Sequence, residues 1–162
     1  MSPQINTSRE GHVYPVAAPY QVSREAVREF ATAVKAGHRA HYDVEAASAL
    51  GYRDLIAPPS FAVVVAQRAE AAVIQDAEAG IDFSRVVHAD ERFTHQQPIL
   101  AGETVLAQVT LDRIRVMGSG AMVSTRVEIT GEDGEARATV TSSLLVRAEE
   151  PGDVPAGKEG SA

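Results

Sequence analysis

The sequence predicts an α+β domain in which one long apolar helix is covered by an antiparallel sheet. Three observations carry that prediction. Val27, Phe30, Ala31 and Val34 fall at i, i+3, i+4 and i+7, the spacing of one apolar helix face. Residues 60–79 then form the most apolar helix-like run of the chain. From Val86 onward the period changes to two, with turn signals such as Asp133-Gly134 between the runs. Helices segregated from antiparallel strands make an α+β arrangement.

Taken in order, residues 1–10 are polar and read as a flexible tail. Residues 14–22 carry two prolines and suit an extended edge segment. Ser23 is a helix N-cap with Glu25 in the first turn, and Gly37 is the expected stop. Asp43 caps a short second helix whose inner face is Val44, Ala47 and Leu50, and Gly51 ends it. Pro58-Pro59 fixes the entry into the long helix. Phe61, Val63, Val64, Val65 and Ala66 leave its first turns almost no polar side, which predicts burial all round. Arg68, Glu70, Gln75, Asp76 and Glu78 restore a wet face further along.

Four strands follow, joined by short turns. The first covers residues 86–96. Val105, Ala107, Val109 and Leu111 face inward on the second, with Val116 continuing it. After the turn at Met117-Gly118-Ser119-Gly120, Val123, Thr125, Val127 and Ile129 face inward on the third. Ala138, Val140, Ser142, Leu144 and Val146 do so on the last. Residues 149–162 have the composition of a disordered tail, so one domain spans 11–148. A single sheet around one helix leaves an edge strand open, and pairing through it into a dimer is expected.

Composition narrows the function. A chain of 162 residues buries a core without staples, and the absence of cysteine removes disulfides, thiolate metal sites and cysteine nucleophiles. A net charge of −7, with 5% aromatics and no tryptophan, disfavours nucleic acid as a partner. No apolar run approaches ~18 residues and no secretory leader is visible. A cytoplasmic protein with no membrane partner is the expectation.

Residues 35–61 hold the candidate chemistry. His41, on a loop between helices beside His38 and Asp43, suits a general base; the alternative is a surface histidine in a helix connection. Asp43 is the second catalytic candidate. His38 and His41 with His88 or His95 match no metal-ligand spacing, so no metal is expected. His88 and His95 lie seven apart, which in a regular strand turns them to opposite faces. Gln96 is polar where a core strand is apolar, which suits a cleft wall. No serine lies in a GxSxG context and no phosphate loop follows a strand, so no cofactor is expected. The helix start near Ser60 offers free N–H groups for a carbonyl oxygen. Pro59, Ser60, Phe61 and Gln96 are the substrate-binding candidates.

Five blocks in order, YP…APYQV, SREAVREFATAV, DVEAASALGYRDLIAPPSF, DFSRVVHADERFTHQQPILAGETV and the final strands, resemble the MaoC-like dehydratases of the hot-dog superfamily. The similarity covers residues 11–148 and is closest to the N-terminal-type domain and to actinobacterial (3R)-hydroxyacyl-carrier-protein dehydratase small subunits. The resemblance implies a hot-dog fold, a long central helix wrapped by an antiparallel sheet. It also implies interconversion of 3-hydroxyacyl and trans-2-enoyl thioesters by loss or gain of water. Active members carry Asp-x-Asn-Pro-x-His, followed by Asp and an Ala-x-x-x-Gly element. Anchoring on Asp43, Ala47 and Gly51 places the family histidine on His41. The family aspartate, asparagine and proline fall on Ala36, His38 and Arg39, which do not match. Pro59 stands where active members have the glycine of Ile-Ala-His-Gly, and proline has no N–H to donate.

The reading that results is a dehydratase or enoyl hydratase component acting on acyl thioesters of CoA or acyl carrier protein. It works as a heterodimer with a complete MaoC-like catalytic subunit, or as a homodimer in which His41 is assisted by Asp43 or His38. A hot-dog acyl thioesterase using Asp43, Glu45 or Glu91, and a non-catalytic acyl-thioester-binding protein, are the alternatives.

Overall fold

The computed structural model describes residues 5–118 and 120–147. Helix α1 (Arg24–Ala33) begins where Ser23 accepts the Ala26 N–H, and it buries Val27 and Ala31. It ends before Gly37. Lys35 takes the left-handed position at φ 57°, with Ala36 N–H bonded to Ala31 O and Lys35 N–H to Thr32 O. That double closure is a Schellman motif. Val34, the last residue of the predicted apolar face, caps the helix and is exposed. Helix α2 (Val44–Ala49) starts at Asp43 as expected, and Gly51 at φ 89° follows its end. Ala47 is buried, but Leu50 has already left the helix and faces solvent.

A 3-10 turn over Pro59–Phe61 leads into α3 (Ala62–Gln75). The helix stops short of residue 79 because Asp76 adopts extended backbone and its carboxylate caps a separate turn at Ala77–Ala79. Ala62, Val65, Ala66, Ala69 and Val73 are buried, while Val63 and Val64 are half-exposed, so the first turns are not enclosed on every side. Glu70, placed by pattern on the wet face, is buried instead.

The sheet runs β1-β4-β5-β6-β3, with β2 also on β4. Its strands are β1 (His12–Val13), β2 (Tyr20–Gln21), β3 (Val86–His95), β4 (Thr104–Met117), β5 (Gly120–Gly131) and β6 (Ala136–Arg147). The inward sets of β4, β5 and β6 are buried as the period-two pattern predicts, including Thr125 and Ser142. Val116 continues β4 but is exposed.

Two features of β3 depart from the pattern. It pairs with β6, not with β4, which follows it in sequence. The connecting segment crosses to the other side: Ala57 N–H bonds Ile99 O, Ala101 N–H bonds Leu55 O, and Ile56 bridges Leu100. Among the described residues β3 is therefore a long sheet edge paired with β6 alone. The register also shifts between His88 and Asp90, a bulge that inserts Ala89. His88 then stands opposite Leu144 and His95 opposite Ala138, both inward residues. Residues directly opposite share a face. Both histidines, with Glu91 and Phe93, therefore lie on the helix side, and the expectation of opposite faces is corrected by one extra residue.

Residues 5–10 are docked, not loose. Asn6 N–H bonds Ala79 O, and Arg9 and the Tyr14 hydroxyl both donate to Asp76. The C-terminal stretch 149–162 lies outside the described residues. At the other end of the sheet, the buried Arg137 contacts Glu103 at 3.3 Å and Asp133 at 2.9 Å, which ties the β5–β6 hairpin to the turn before β4. Among the described residues no helix is long and apolar enough to cross a membrane.

Candidate functional site

His41 closes a 3-10 turn, Arg39–His41, that packs against residues 55–57. Ile56 N–H donates to Ala40 O at 3.0 Å, and His41 Nδ1 lies 2.6 Å from Ile56 O. A carbonyl oxygen only accepts, so Nδ1 carries the proton in this bond. The neutral ring then keeps its lone pair on Nε2, the arrangement a general base requires. His41 itself is half-buried. His38 has the opposite tautomer: its Nδ1 accepts the Ala40 N–H at 3.1 Å, which spends that lone pair on capping the turn. The two rings stand 6.0 Å apart in a T-shaped arrangement.

The carboxylate of Asp43 is committed elsewhere. It accepts the Glu45 N–H at 2.9 Å and pairs with Arg39 at 2.6 Å. The Glu45 N–H bond first, and Arg39 second, outweigh burial and hold its pKa below the usual carboxylate range. Its role in the fold is to start α2. Ala36, where the resemblance expects an aspartate, offers its backbone carbonyl, which accepts the Tyr42 hydroxyl at 2.7 Å.

The start of the α3 segment holds Pro59, Ser60 and Phe61, three of the other candidates. Pro58 is buried and Pro59 exposed, and Pro59 O accepts from His95 Nε2 at 2.9 Å. That bond fastens the end of β3 to the turn. Ser60 follows a proline at the helix start, where N–H groups lack intrahelical partners. Phe61 is 1% exposed, with its ring edge-on to Phe30 at 5.4 Å and tilted against Tyr20 at 6.2 Å, so it anchors the core. Gln96 is exposed, and its contribution to the fold is a backbone bond to Arg137 O.

The structure thus brings His41 onto the Leu55–Ala57 strip, which leads through Pro58 to Pro59 and Ser60. Sequence reasoning missed the Ile56 carbonyl, for which no residue-type signal exists. It also misplaced His95, because the bulge at Ala89 carries no glycine or proline to mark it.

A family model described as FAS1-like, dehydratase domain region, matches residues 8–140. A UPF0336 protein of Leifsonia xyli subsp. xyli is 42% identical over 146 residues, covering 90% of this chain and 98% of the relative. Among solved structures, the C-terminally truncated HadBC (3R-hydroxyacyl-ACP dehydratase) complex from Mycobacterium tuberculosis contains a chain that aligns with a TM-score of 0.76 at 31% identity. That alignment covers 90% of this chain and 99% of the neighbour. A MaoC-like dehydratase aligns with a TM-score of 0.80 at 30% identity, over 87% of this chain and 43% of its own length.

Proposed function

The chain belongs to the FAS1-like dehydratase-domain family and has the hot-dog fold, and from that premise we propose that it is one component of a (3R)-hydroxyacyl-thioester dehydratase. In this reading it pairs with a second hot-dog subunit and takes acyl thioesters of CoA or acyl carrier protein. The observation that carries the proposal is the His41–Ile56 bond, which occupies Nδ1 as donor and leaves Nε2 as the nitrogen able to accept a proton.

In the hydration direction, Nε2 takes a proton from water as its oxygen bonds to C3 of the enoyl thioester. The electron pair of the double bond moves toward the thioester oxygen, which Ser60 N–H stabilises, and C2 then collects a proton. Dehydration is the reverse. Ala36 supplies no acid, so the second proton-handling group comes from the partner subunit. The solved HadBC neighbour is itself a complex, which supports this assembly. The open edge of β3 is the surface a second hot-dog sheet would extend. A thioesterase would need a free carboxylate at the ester, and the commitment of Asp43 to Arg39 and the α2 cap gives that reading less support.

The test supplies crotonyl-CoA to the chain alone and to the chain co-expressed with a hot-dog subunit carrying an intact Asp/His pair. Hydration that appears with the partner, and falls when His41 is replaced, is the expected result. Thiol release without hydration would overturn the proposal.

A further inference from the structure

Along the C-terminal half of α3, away from the Pro59 turn, lies a cavity of about 230 Å³. Val73, Phe83 and Leu144 give it apolar walls, and Glu70, His88 and Thr125 give it polar ones. Glu70 is 8% exposed and Thr125 fully buried, and the Thr125 hydroxyl donates to Glu70 Oε1 at 2.6 Å. Oε1 is therefore an acceptor, and Thr125 is the partner that holds the carboxylate in place. The Ala89 bulge turns Glu91 to the same side, where it stands 3.5 Å from the Ser142 hydroxyl. Burial first, and the charge of Glu70 second, push the Glu91 carboxyl up. No lysine or arginine forms an ion pair with Glu70 or Glu91 among the described residues. His88 is the basic group that faces them from β3.

A buried carboxylate with no lysine or arginine partner is costly to ionise, and a ligand cation beside it offsets that cost. The apolar walls suit an alkyl stem, and Glu70 suits a charged donor at its end. We infer that this cavity is a binding site for a small amphipathic cation, a primary alkylammonium whose head bonds Glu70 and whose stem lies on Val73, Phe83 and Leu144. A carboxylate ligand would meet the buried Glu70 carboxylate. An alcohol would bond to Glu70 but leave its charge uncompensated. The inference is independent of the dehydratase proposal, because it uses neither His41 nor a thioester.

The test titrates the full chain near neutral pH with n-hexylammonium, n-hexanol and n-hexanoate, read by calorimetry and by backbone amide shifts. Saturable binding of the ammonium is expected, with shifts at Glu70, His88 and Thr125. Glu70→Gln keeps an acceptor for Thr125 and should weaken that binding about tenfold or more, the worth of a charge-assisted bond. His41→Asn should leave it unchanged, which separates this site from the dehydratase reading. Equal binding of hexanol or hexanoate, shifts confined to other regions, or no saturable binding would each overturn the inference. The three-ligand series on the unaltered chain decides the matter even if Glu70→Gln does not fold.

Discussion

The imidazole Nδ1 of His41 donates to the carbonyl oxygen of Ile56 across 2.6 Å, and this one bond sets which ring nitrogen can take a proton. Asparagine at position 41 can keep the donor to Ile56 O while lacking a basic nitrogen. His41→Asn should therefore fold normally, with a melting temperature close to the parent. Hydration of an enoyl thioester by the assembled enzyme should fall about 10²–10⁴-fold, the usual contribution of a positioned acid–base group. Steady-state rates and a melting curve on the same preparation check both halves.

Lys35 holds the left-handed position of a Schellman motif, where a side chain costs about 1–2 kcal/mol that glycine avoids. Lys35→Gly should raise stability by about 1 kcal/mol once the greater freedom of glycine in the unfolded chain is subtracted. The expected signature is a higher urea midpoint with an unchanged slope.

Arg137 and Glu103 form a buried pair, each side chain 7% exposed. Arg137→Met leaves Glu103 with Arg53 at 3.2 Å as its remaining ionic contact, an arginine whose own side chain is 66% exposed. The expected loss is about 3–5 kcal/mol, the cost of breaking a buried pair from one side. Gly131→Ala attacks the same pair indirectly, because an added Cβ would stand 2.6 Å from Arg137 Nη2. The double variant should lose less than the sum of the two, since both changes remove one interaction. Denaturant midpoints of the four proteins check this.

Glu91 should make the protein less stable as pH rises. Burial, then the charge of Glu70, raises its folded pKa, so the folded state holds the proton more tightly than the unfolded chain does. The penalty is absent below the ordinary carboxylate range and grows as pH rises through that range to the folded value. Glu91→Gln removes it and keeps an acceptor for Ser142. The variant should melt higher than the parent near neutral pH, and the two curves should converge in acid. Melting temperatures across a pH series check the sign.

Most of the sheet was legible because burial on one face forces a period of two. Thr125 and Ser142 were placed inward by their neighbours alone, and both are buried. The caps at Ser23 and Asp43 were legible because their side chains answer a local need of the helix start. What the pattern could not reveal depends on residues distant in sequence. Glu70 reads as a solvated charge until Thr125 arrives from β5. His95 reads as facing away from His88 until Ala89 is squeezed out of register against β6. The position of His41 was read through a family register. Its partner was not, because a backbone carbonyl has no residue type to read.

The pairing of β3 with β6 sets an order of events. Val86 and His95 join Val146 and Ala138, so β3 is synthesised well before the strand that holds it. Residues up to Gly131 hold both strands of the β4–β5 pair but not the strand that pairs with β3. Such distant pairings close late, after the loop entropy between them has been met by nearer contacts. His95 can fasten Pro59, and Glu91 can reach its place beside Ser142, only after the last strand has docked. Both ends of the helix-facing surface thus depend on the docking of one late-made strand.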